Sequence, residues 1–316
     1  MWADIGNILL GAVLLLFGTD SLGNGIAGLW ARRTAESHAV AWAGVIAAAV
    51  VPALAVVIAT SVLDRPELAV GSLFGAAIAQ LGLMLGLAAL IAPLLSRLRA
   101  LAWLNAAVLV AIVLVGALSI DPVYSRLDGS ILIVAFAVAA VFFLRIGGSE
   151  RVAARALFAH APRRFGVPML LLRLVLGLAL LGLGSWRLVV GGSAFATDLN
   201  WNPLIAGLIL LGPAIALAGA PSALLAARRG HGDLAVGQAF SGTLAALLLL
   251  LGGLAIWQPL AASPSLIRVE IPGLLALAAA VYPMMRSDGA LSRREGGVLL
   301  AAYLLFVVVE IWLTSA

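Results

Sequence analysis

The sequence is a succession of long apolar runs separated by brief polar punctuation, and this limits its fold more than any other feature. A bilayer core of about 30 Å is crossed by roughly 20 apolar residues in a helix. Runs of that kind cover residues 5–30, 38–63, 69–95, 101–120, 130–146, 167–190, 203–227, 234–260, 269–285 and 297–314. Lipid offers the backbone no hydrogen-bond partners, so such runs fold as helices; a β-barrel would read as short alternating strands. The expected fold class is all-α integral membrane, with about ten transmembrane helices. Hydrophobic residues make up 64% of the chain and charged residues 10%, against roughly half and about a quarter in soluble domains. No soluble interior hides that share, which excludes a water-soluble enzyme. With no cysteine there is no disulfide framework, thiolate metal site or Cys nucleophile. No acid pairs with a His or Ser inside the apolar runs, and no histidine has a metal-ligand partner one turn away, so neither an enzyme, a cofactor nor a metal is expected.

The formal charge is +5, and all 19 basic residues are arginine. In a chain this apolar, that excess reads as a topology signal rather than a nucleic-acid footprint. The first run is preceded by Asp4 and by no base, so it reads as a retained helix, not a cleaved signal. Arg32-Arg33 follow it, which puts the N-terminus outside and that loop in the cytoplasm. Alternation over ten spans then gives the cytoplasm Arg97, Arg99, Arg145, Arg151, Arg155, Arg163, Arg164, Arg228, Arg229, Arg286, Arg293 and Arg294. The outside receives only Arg65, Arg126, Arg187 and Arg268. An error in span count would scramble this bias. The expected location is a bacterial-type inner (plasma) membrane, with both termini external and the lipid bilayer as the main partner.

The chain also repeats itself. Glu67-Leu68-Ala69-Val70-Gly71 recurs as Asp233-Leu234-Ala235-Val236-Gly237, 166 residues later. At the same offset Gly18 meets Gly184, Gly25 meets Gly191, Gly86 meets Gly252, and Pro93-Leu94 meets Pro259-Leu260. The register holds across three runs without a gap, which argues for duplication. The expected organisation is a first five-helix repeat over 1–146, a cytoplasmic linker over 147–166 and a second repeat over 167–316. Five spans separate the copies, so they lie in opposite orientations. Inverted repeats place binding sites near the midplane, between helices interrupted by Gly or Pro. The candidate interruptions are Pro52, Pro213 and Pro221.

These residues resemble a known family. Gly18-Thr19-Asp20 through Arg32-Arg33, then Pro52, then Pro66-Glu67-Leu68-Ala69-Val70-Gly71, are similar to the first repeat of the cation/calcium exchanger superfamily, the sodium/calcium antiporters. Ala226-Ala227-Arg228-Arg229-Gly230-His231-Gly232-Asp233-Leu234 is similar to the end of its second repeat. The resemblance covers about 18–95 and 184–260 and implies a 5+5 inverted-repeat, alternating-access fold. The family carries Gly-Thr-Ser-x-Pro-Glu in its second and seventh helices, and those glutamates ligate calcium. Position by position, the first motif falls on Ala48, Ala49, Val50, Val51, Pro52 and Ala53, and the second on Ala214, Ile215, Ala216, Leu217, Ala218 and Gly219. Both glutamates are absent. The family's further motif, an Asn and then Gly-Ser-Asn-x-x-Asn, falls on Ser72, Gly75, Ala76, Ala77 and Gln80, and again on Gln238, Ser241, Gly242, Thr243 and Ala246. Calcium takes six to eight oxygens, usually with carboxylates among them, and Ala53 and Gly219 supply none. Desolvating a divalent ion at the midplane without an anion is prohibitive.

The remaining polar groups divide two ways. Ser72, Gln80, Gln238, Ser241 and Thr243 are either interhelical hydrogen-bond glue or the remnant of a polar pocket. Asp20 is either an interfacial carboxylate near Arg32 and Arg33 or part of a proton or cation relay opened by the surrounding glycines. Arg187 reads as a snorkelling side chain, and Glu310 as interfacial. Two functions follow. One is a secondary transporter with altered cargo: a monovalent cation, a proton-coupled or other solute. The alternative is a non-transporting structural or partner subunit that retains the exchanger fold.

The absence of native cysteine makes the topology directly testable. Asp64→Cys and Asp121→Cys should react with a membrane-impermeant maleimide on intact cells, whereas Ser149→Cys should react only after the membrane is opened. The reverse pattern would invert the orientation.

Overall fold

A computed structural model describes residues 2–33, 38–95, 99–146, 166–287 and 290–315. All of the expected linker but Gly166 lies outside the described residues. Helix α1 is Trp2–Arg33, α2 His38–Val62, α3 Pro66–Ile91, α4 Arg99–Leu118 and α5 Arg126–Ile146. Then come α6 Val167–Asp198, α7 Pro203–Arg228, α8 Gly232–Trp257, α9 (a π-helical stretch Leu266–Glu270 continued by Ile271–Ser287) and α10 Arg293–Ser315. Among the described residues, α1, α3, α6, α7, α8, α9 and α10 contain helices long and apolar enough to cross a membrane, seven in all, while Ala49–Val62 and Ala102–Leu118 are shorter apolar helices. The protein is a multi-pass integral membrane protein. Large apolar side chains such as Phe17, Val110, Leu127, Val138, Leu178 and Leu305 are exposed; lipid, unlike water, accommodates such a surface without cost.

Four short strands, not expected from the sequence, tie helix ends together. β1 (Leu94–Leu95) pairs antiparallel with β4 (Ala290–Leu291), and β2 (Val123–Tyr124) pairs antiparallel with β3 (Leu260–Ala261). They take up backbone groups left over where α3 and α8 stop, and so these helices end at Ile91 and Trp257, short of the expected 95 and 260.

Local features recur at nearly constant spacing. α3 starts at Pro66 and α8 at Gly232; α3 turns π-helical over Gln80–Met84 and α8 over Ala245–Leu250. Both helices then resume, as Leu85–Ile91 and Leu251–Trp257. Each is entered through the same turn. Asp64 has φ 53° and Gly230 φ 78°, and the following amides, Arg65 and His231, donate to the carbonyls of Thr60 and Ala226 at 2.8 and 2.9 Å. A left-handed residue with that pair of bonds satisfies the last carbonyls of the preceding helix. The starts of α5 and α10 also match. Ser125 donates from its amide and its hydroxyl to Asp128, each at 2.8 Å, and Ser292 does the same to Glu295, each at 2.7 Å. These are reciprocal caps, the hydroxyl accepting in return from the third amide of the helix.

Glycine sets how the helices meet. Gly11, Gly18 and Gly25 of α1 and Gly177, Gly184 and Gly191 of α6 recur every seven residues. Gly11 lies against Gly184 and Leu188, Gly18 against Gly177 and Leu181, and Gly191 against Asp4 and Ile8, so the two helices run antiparallel. α1 stays helical through Gly18–Gly28 rather than unwinding around Asp20, because these glycines serve close packing. The approach of α3 to α7 is tighter still. A Cβ on Gly71 would lie 1.9 Å from the Leu204 carbonyl oxygen, and one on Gly75 2.3 Å from that of Leu208. α7 answers with Gly207 and Gly212, whose added Cβ atoms would meet the Leu68 oxygen at 2.3 Å and the Gly75 carbonyl carbon at 2.4 Å.

A methyl group at these four positions has nowhere to go. Gly75→Ala is expected to lower the thermal unfolding midpoint of the purified protein and broaden its size-exclusion peak. Gly182→Ala, where an added Cβ meets nothing within 4 Å, should be neutral or stabilising by up to ~1 kcal/mol through helix propensity.

Candidate functional site

The polar residues singled out from the sequence converge only in part. α3 and α8 are among the most buried helices of the bundle, and each carries one of the two candidate glutamines, Gln80 and Gln238. Gln238 is 3% exposed; its Nε2 donates to the Gly219 carbonyl at 2.7 Å and its Oε1 accepts from Ser222 Oγ at 2.9 Å. Ser222 Oγ also lies 2.8 Å from the Gly219 oxygen. The amide of Gln238 is thus engaged with the backbone of Gly219, the position where the resemblance calls for a glutamate. Ser222 was missed in the sequence because it lies outside the motif, three residues beyond Gly219.

Gln80 of α3 is likewise 3% exposed. The Thr243 hydroxyl donates to its own helix at Ala239 O, 2.9 Å away, and approaches Gln80 Oε1 at 3.4 Å and Ala77 O at 3.5 Å. Ala77 and Thr243 are separated by 166 residues, so matched positions of the chain touch each other here. Gly242 makes room for the Gln80 amide: a Cβ there would lie 2.5 Å from Oε1. Both glutamine-bearing helices pass from α to π geometry beside this contact, and π-helical turns collect at functional positions.

The other candidates stand differently. Ser72 is fully buried and donates to Ala69 O on its own helix at 2.8 Å, while the half-buried Ser241 donates to Gln238 O at 3.2 Å. Asp20 is exposed on α1, where its Oδ2 accepts from Asn24 at 3.0 Å, and it is no part of the centre. Ala53 is 2% exposed and Gly219 is buried. Of the candidate breaks, Pro52 and Pro221 lie within continuous helix, whereas Pro213 follows directly on the π-helical stretch Gly207–Leu211. A proline offers no amide to the carbonyl four residues earlier, and the wider π turn absorbs that loss at Pro213. Arg187 donates to Asn7 Oδ1 at 3.0 Å and remains exposed.

Two acids are buried in the bundle. Glu310 is 3% exposed, packed against protein at the end of its helix, and Glu270, absent from the candidates above, is fully buried. Asn105 of α4 is also buried, with neither amide atom meeting a partner. Their signal lay in the sequence only as polar letters near the edges of apolar runs. Outside the helices, Tyr124 is buried beside Ser119, and burial pushes its phenol up to about 12.

The centre is therefore a set of neutral oxygens and amides, with no ionised group among Gln80, Thr243, Gln238, Ser222 and Gly219. Such a lining solvates a monovalent ion or water more readily than it compensates two positive charges.

A bundle of continuous, glycine-packed helices with π-helical turns beside a buried polar contact agrees with the build of a membrane transporter. The family model for sodium/calcium exchanger protein matches residues 4–145 and 169–312, and the chain belongs to that family. It is 32% identical over 138 residues to CaxA of Alkalimonas amylolytica, a stretch that is 44% of this chain and 43% of that one. It is 33% identical over 138 residues to inner membrane protein YrbG of Escherichia coli (strain K12), covering 43% and 42% of the two chains. The matched stretch thus spans less than half the length of these relatives. Among solved structures, the sodium-calcium exchanger NCX_Mj soaked with 100 mM Na+ and 10 mM Sr2+ superposes with a TM-score of 0.67 at 23% identity, over 96% of this chain and 97% of that one. NCX_Mj soaked with 2.5 mM Na+ and 10 mM Sr2+ gives 0.66 at 22% identity, over 97% and 98%. These likenesses show the exchanger fold.

If the Gln238–Gly219–Ser222 contact holds α7 to α8, Gln238→Ala should destabilise the protein by about 1–3 kcal/mol, the range for stripping a buried hydrogen-bond partner. Ser241→Ala should stay within about 0.5 kcal/mol. Thermal unfolding of the two variants in one detergent compares them.

Proposed function

We propose that the protein is a secondary transporter of the sodium/calcium exchanger family whose cargo is not calcium but a monovalent cation, with a proton-coupled or other small solute next in line. Two inverted five-helix halves, 1–146 and 167–316, joined by 147–166, would rock about the Gln80–Thr243 contact in ten spans. The recurring turns, caps and π stretches and the antiparallel pairing of α1 with α6 support that organisation. The name of the Escherichia coli relative supports an inner-membrane location.

One observation carries the substrate reading: at Gly219, where the family's motif would place a carboxylate, the Gln238 amide bonds the backbone instead. The matched position in α2 is Ala53, equally without charge. Asp20 lies on the exposed side of another helix and cannot stand in for either. Divalent binding would leave two charges uncompensated in a region from which water is largely excluded. The same bond favours the second reading, a non-transporting subunit, because it closes the centre with protein–protein hydrogen bonds.

Proteoliposome flux separates the readings. No calcium uptake above empty liposomes is expected under a sodium or proton gradient, while sodium-22 uptake should exceed the empty control and fall on Gln80→Ala. Ala53→Glu/Gly219→Glu should add measurable calcium uptake. Robust calcium exchange by the unsubstituted chain would overturn the proposal. Absence of sodium and calcium flux alike would favour the non-transporting subunit.

A further inference from the structure

A second polar site lies at the start of α9, away from the centre. Ser263-Pro264-Ser265 leads into the helix, and Glu270 follows five residues after Ser265. In an α-helix a five-residue step turns about 140° and carries a side chain to another face. Here Leu266–Glu270 is π-helical, and a π turn sets residues five apart one above the other. The turn therefore brings the Glu270 carboxylate over Ser265, whose Oγ donates to Oε1 at 3.0 Å. Ser263 Oγ lies 3.1 Å from Ser265 Oγ. A hydroxyl has one hydrogen, and Ser265 spends its own on Glu270, so Ser263 is the donor of that pair. The three groups form a directed chain, Ser263 to Ser265 to Glu270.

The chain runs from the surface inward. Ser263 and Ser265 are half-buried on either side of the exposed Pro264, whereas Glu270 is fully buried. On the inner side its Oε2 meets no hydrogen-bond partner. α4 closes over the following residue, where a Cβ on Gly116 would lie 3.3 Å from Cγ2 of Ile271.

The elements around it bring no buried cation. Among their described residues every arginine is exposed: Arg65 before α3, Arg126 at the start of α5 and Arg268 on α9 itself. The acids add only negative charge. Asp64, Glu67 and Asp121 are exposed, Asp128 accepts from Ser125, and Glu310 of α10 is buried. Tyr124 of β2 is hydrogen-bonded to Ser119, and Tyr303 of α10 packs on Gly82. An ionised carboxylate here would hold its charge away from water with one oxygen bare, which is costly. A proton removes the charge. The hydroxyls supply its route, because each can accept a hydrogen from behind while passing its own ahead. Neither the acid nor the π turn is called for elsewhere in the chain at the recurring spacing. The residues 166 and 167 positions earlier are Leu104 and Trp103, and α4 is α-helical around them.

We propose that Glu270 is a proton-binding carboxyl loaded through the Ser263–Ser265 hydroxyls, separate from the Gln80–Gln238 centre. The site requires neither functional reading above. On loading, a proton from water joins Ser263 Oγ, the Ser263 hydrogen moves to Ser265, and the Ser265 hydrogen moves to Oε1. The carboxyl then donates to Ser265 where it accepted before, and unloading runs the same steps in reverse.

Infrared spectroscopy of the full-length protein in lipid nanodiscs tests this. The native protein at pH 7 should show a protonated-carboxyl C=O band. The difference spectrum between native protein and Glu270→Gln should contain such a band, and it should shift in D2O. Glutamine keeps the shape of the loaded carboxyl, so Glu270→Gln is expected to fold with a thermal midpoint no lower than native. Ser265→Ala cuts the chain and spares the acid. In that background the Glu270 band should persist while its shift after transfer to D2O slows several-fold, and Ser263→Ala should slow it likewise. Hydroxyls that merely cap α9 would lower stability and leave the exchange rate unchanged. Absence of the band from the native protein, its absence from the difference spectrum, or unaltered exchange in both serine variants would overturn the proposal.

Discussion

The contact on which the rest of the structure depends is backbone against backbone, where α3 crosses α7. Helices in lipid gain little from burying apolar surface against one another, because the lipid tails are just as apolar; close packing of small residues takes over. Gly71 and Gly75 bring α3 onto the carbonyls of Leu204 and Leu208, and Gly207 and Gly212 let α7 approach in return. That crossing fixes the separation between the helix carrying Gln80 and the helix carrying Gly219 and Ser222. α8 then fits against both, with Gln238 reaching Gly219 and Thr243 reaching Ala77. A single β-carbon at the crossing would push the polar groups beyond hydrogen-bond range before any of them was itself changed.

The same economy explains the π-helical stretches. A fifth residue in a turn rotates everything beyond it relative to what came before, so a helix that needs a polar side chain at the centre and a glycine face further along can have both. In α3 the switch begins at Gln80 itself, and Gly82 and Gly86 beyond it take the Tyr303 and Gly296–Leu300 surfaces of α10. In α8 it begins just after Thr243, and Gly252 beyond it takes Gly129 and Leu132 of α5. The antiparallel strand pairs finish the job at the helix ends, where lipid-facing backbone would otherwise be left without partners.

Most of this frame was legible in the sequence. The apolar runs mark the helices, and the 166-residue offset pairs Gly71 with Gly237 and Gly18 with Gly184 in the sequence itself. What stayed hidden was hidden for physical reasons. A π turn has no composition of its own; Gln80–Met84 reads as any other helical segment. The αL turn at Asp64 lacks the glycine that marks its counterpart at Gly230. The Ser-x-x-acid caps at Ser125 and Ser292 were visible as patterns, but they sit at the edges of apolar runs, where span boundaries absorb them. The site divides similarly. Gln80, Gln238 and Thr243 were found by position within a motif, whereas Ser222 entered only through the third dimension. Asp20 stands out in the sequence because a carboxylate in an apolar run is visible whichever face it occupies, and its exposed face shows only in three dimensions.

Charge is distributed in this bundle against the expectation for a divalent-ion carrier. The buried centre between α3, α7 and α8 holds amides and hydroxyls, all neutral, while the buried carboxylates of Glu270 and Glu310 belong to other helices, α9 and α10. Burying a charge is among the costliest things a membrane fold can do, so acids are kept inside only where a proton or an ion relieves them. A neutral centre can empty and refill with little electrostatic penalty, since neither state leaves bare charges facing each other. If cargo passes through the centre, the amides of Gln80 and Gln238 and the hydroxyls of Ser222 and Thr243 set what can be solvated there.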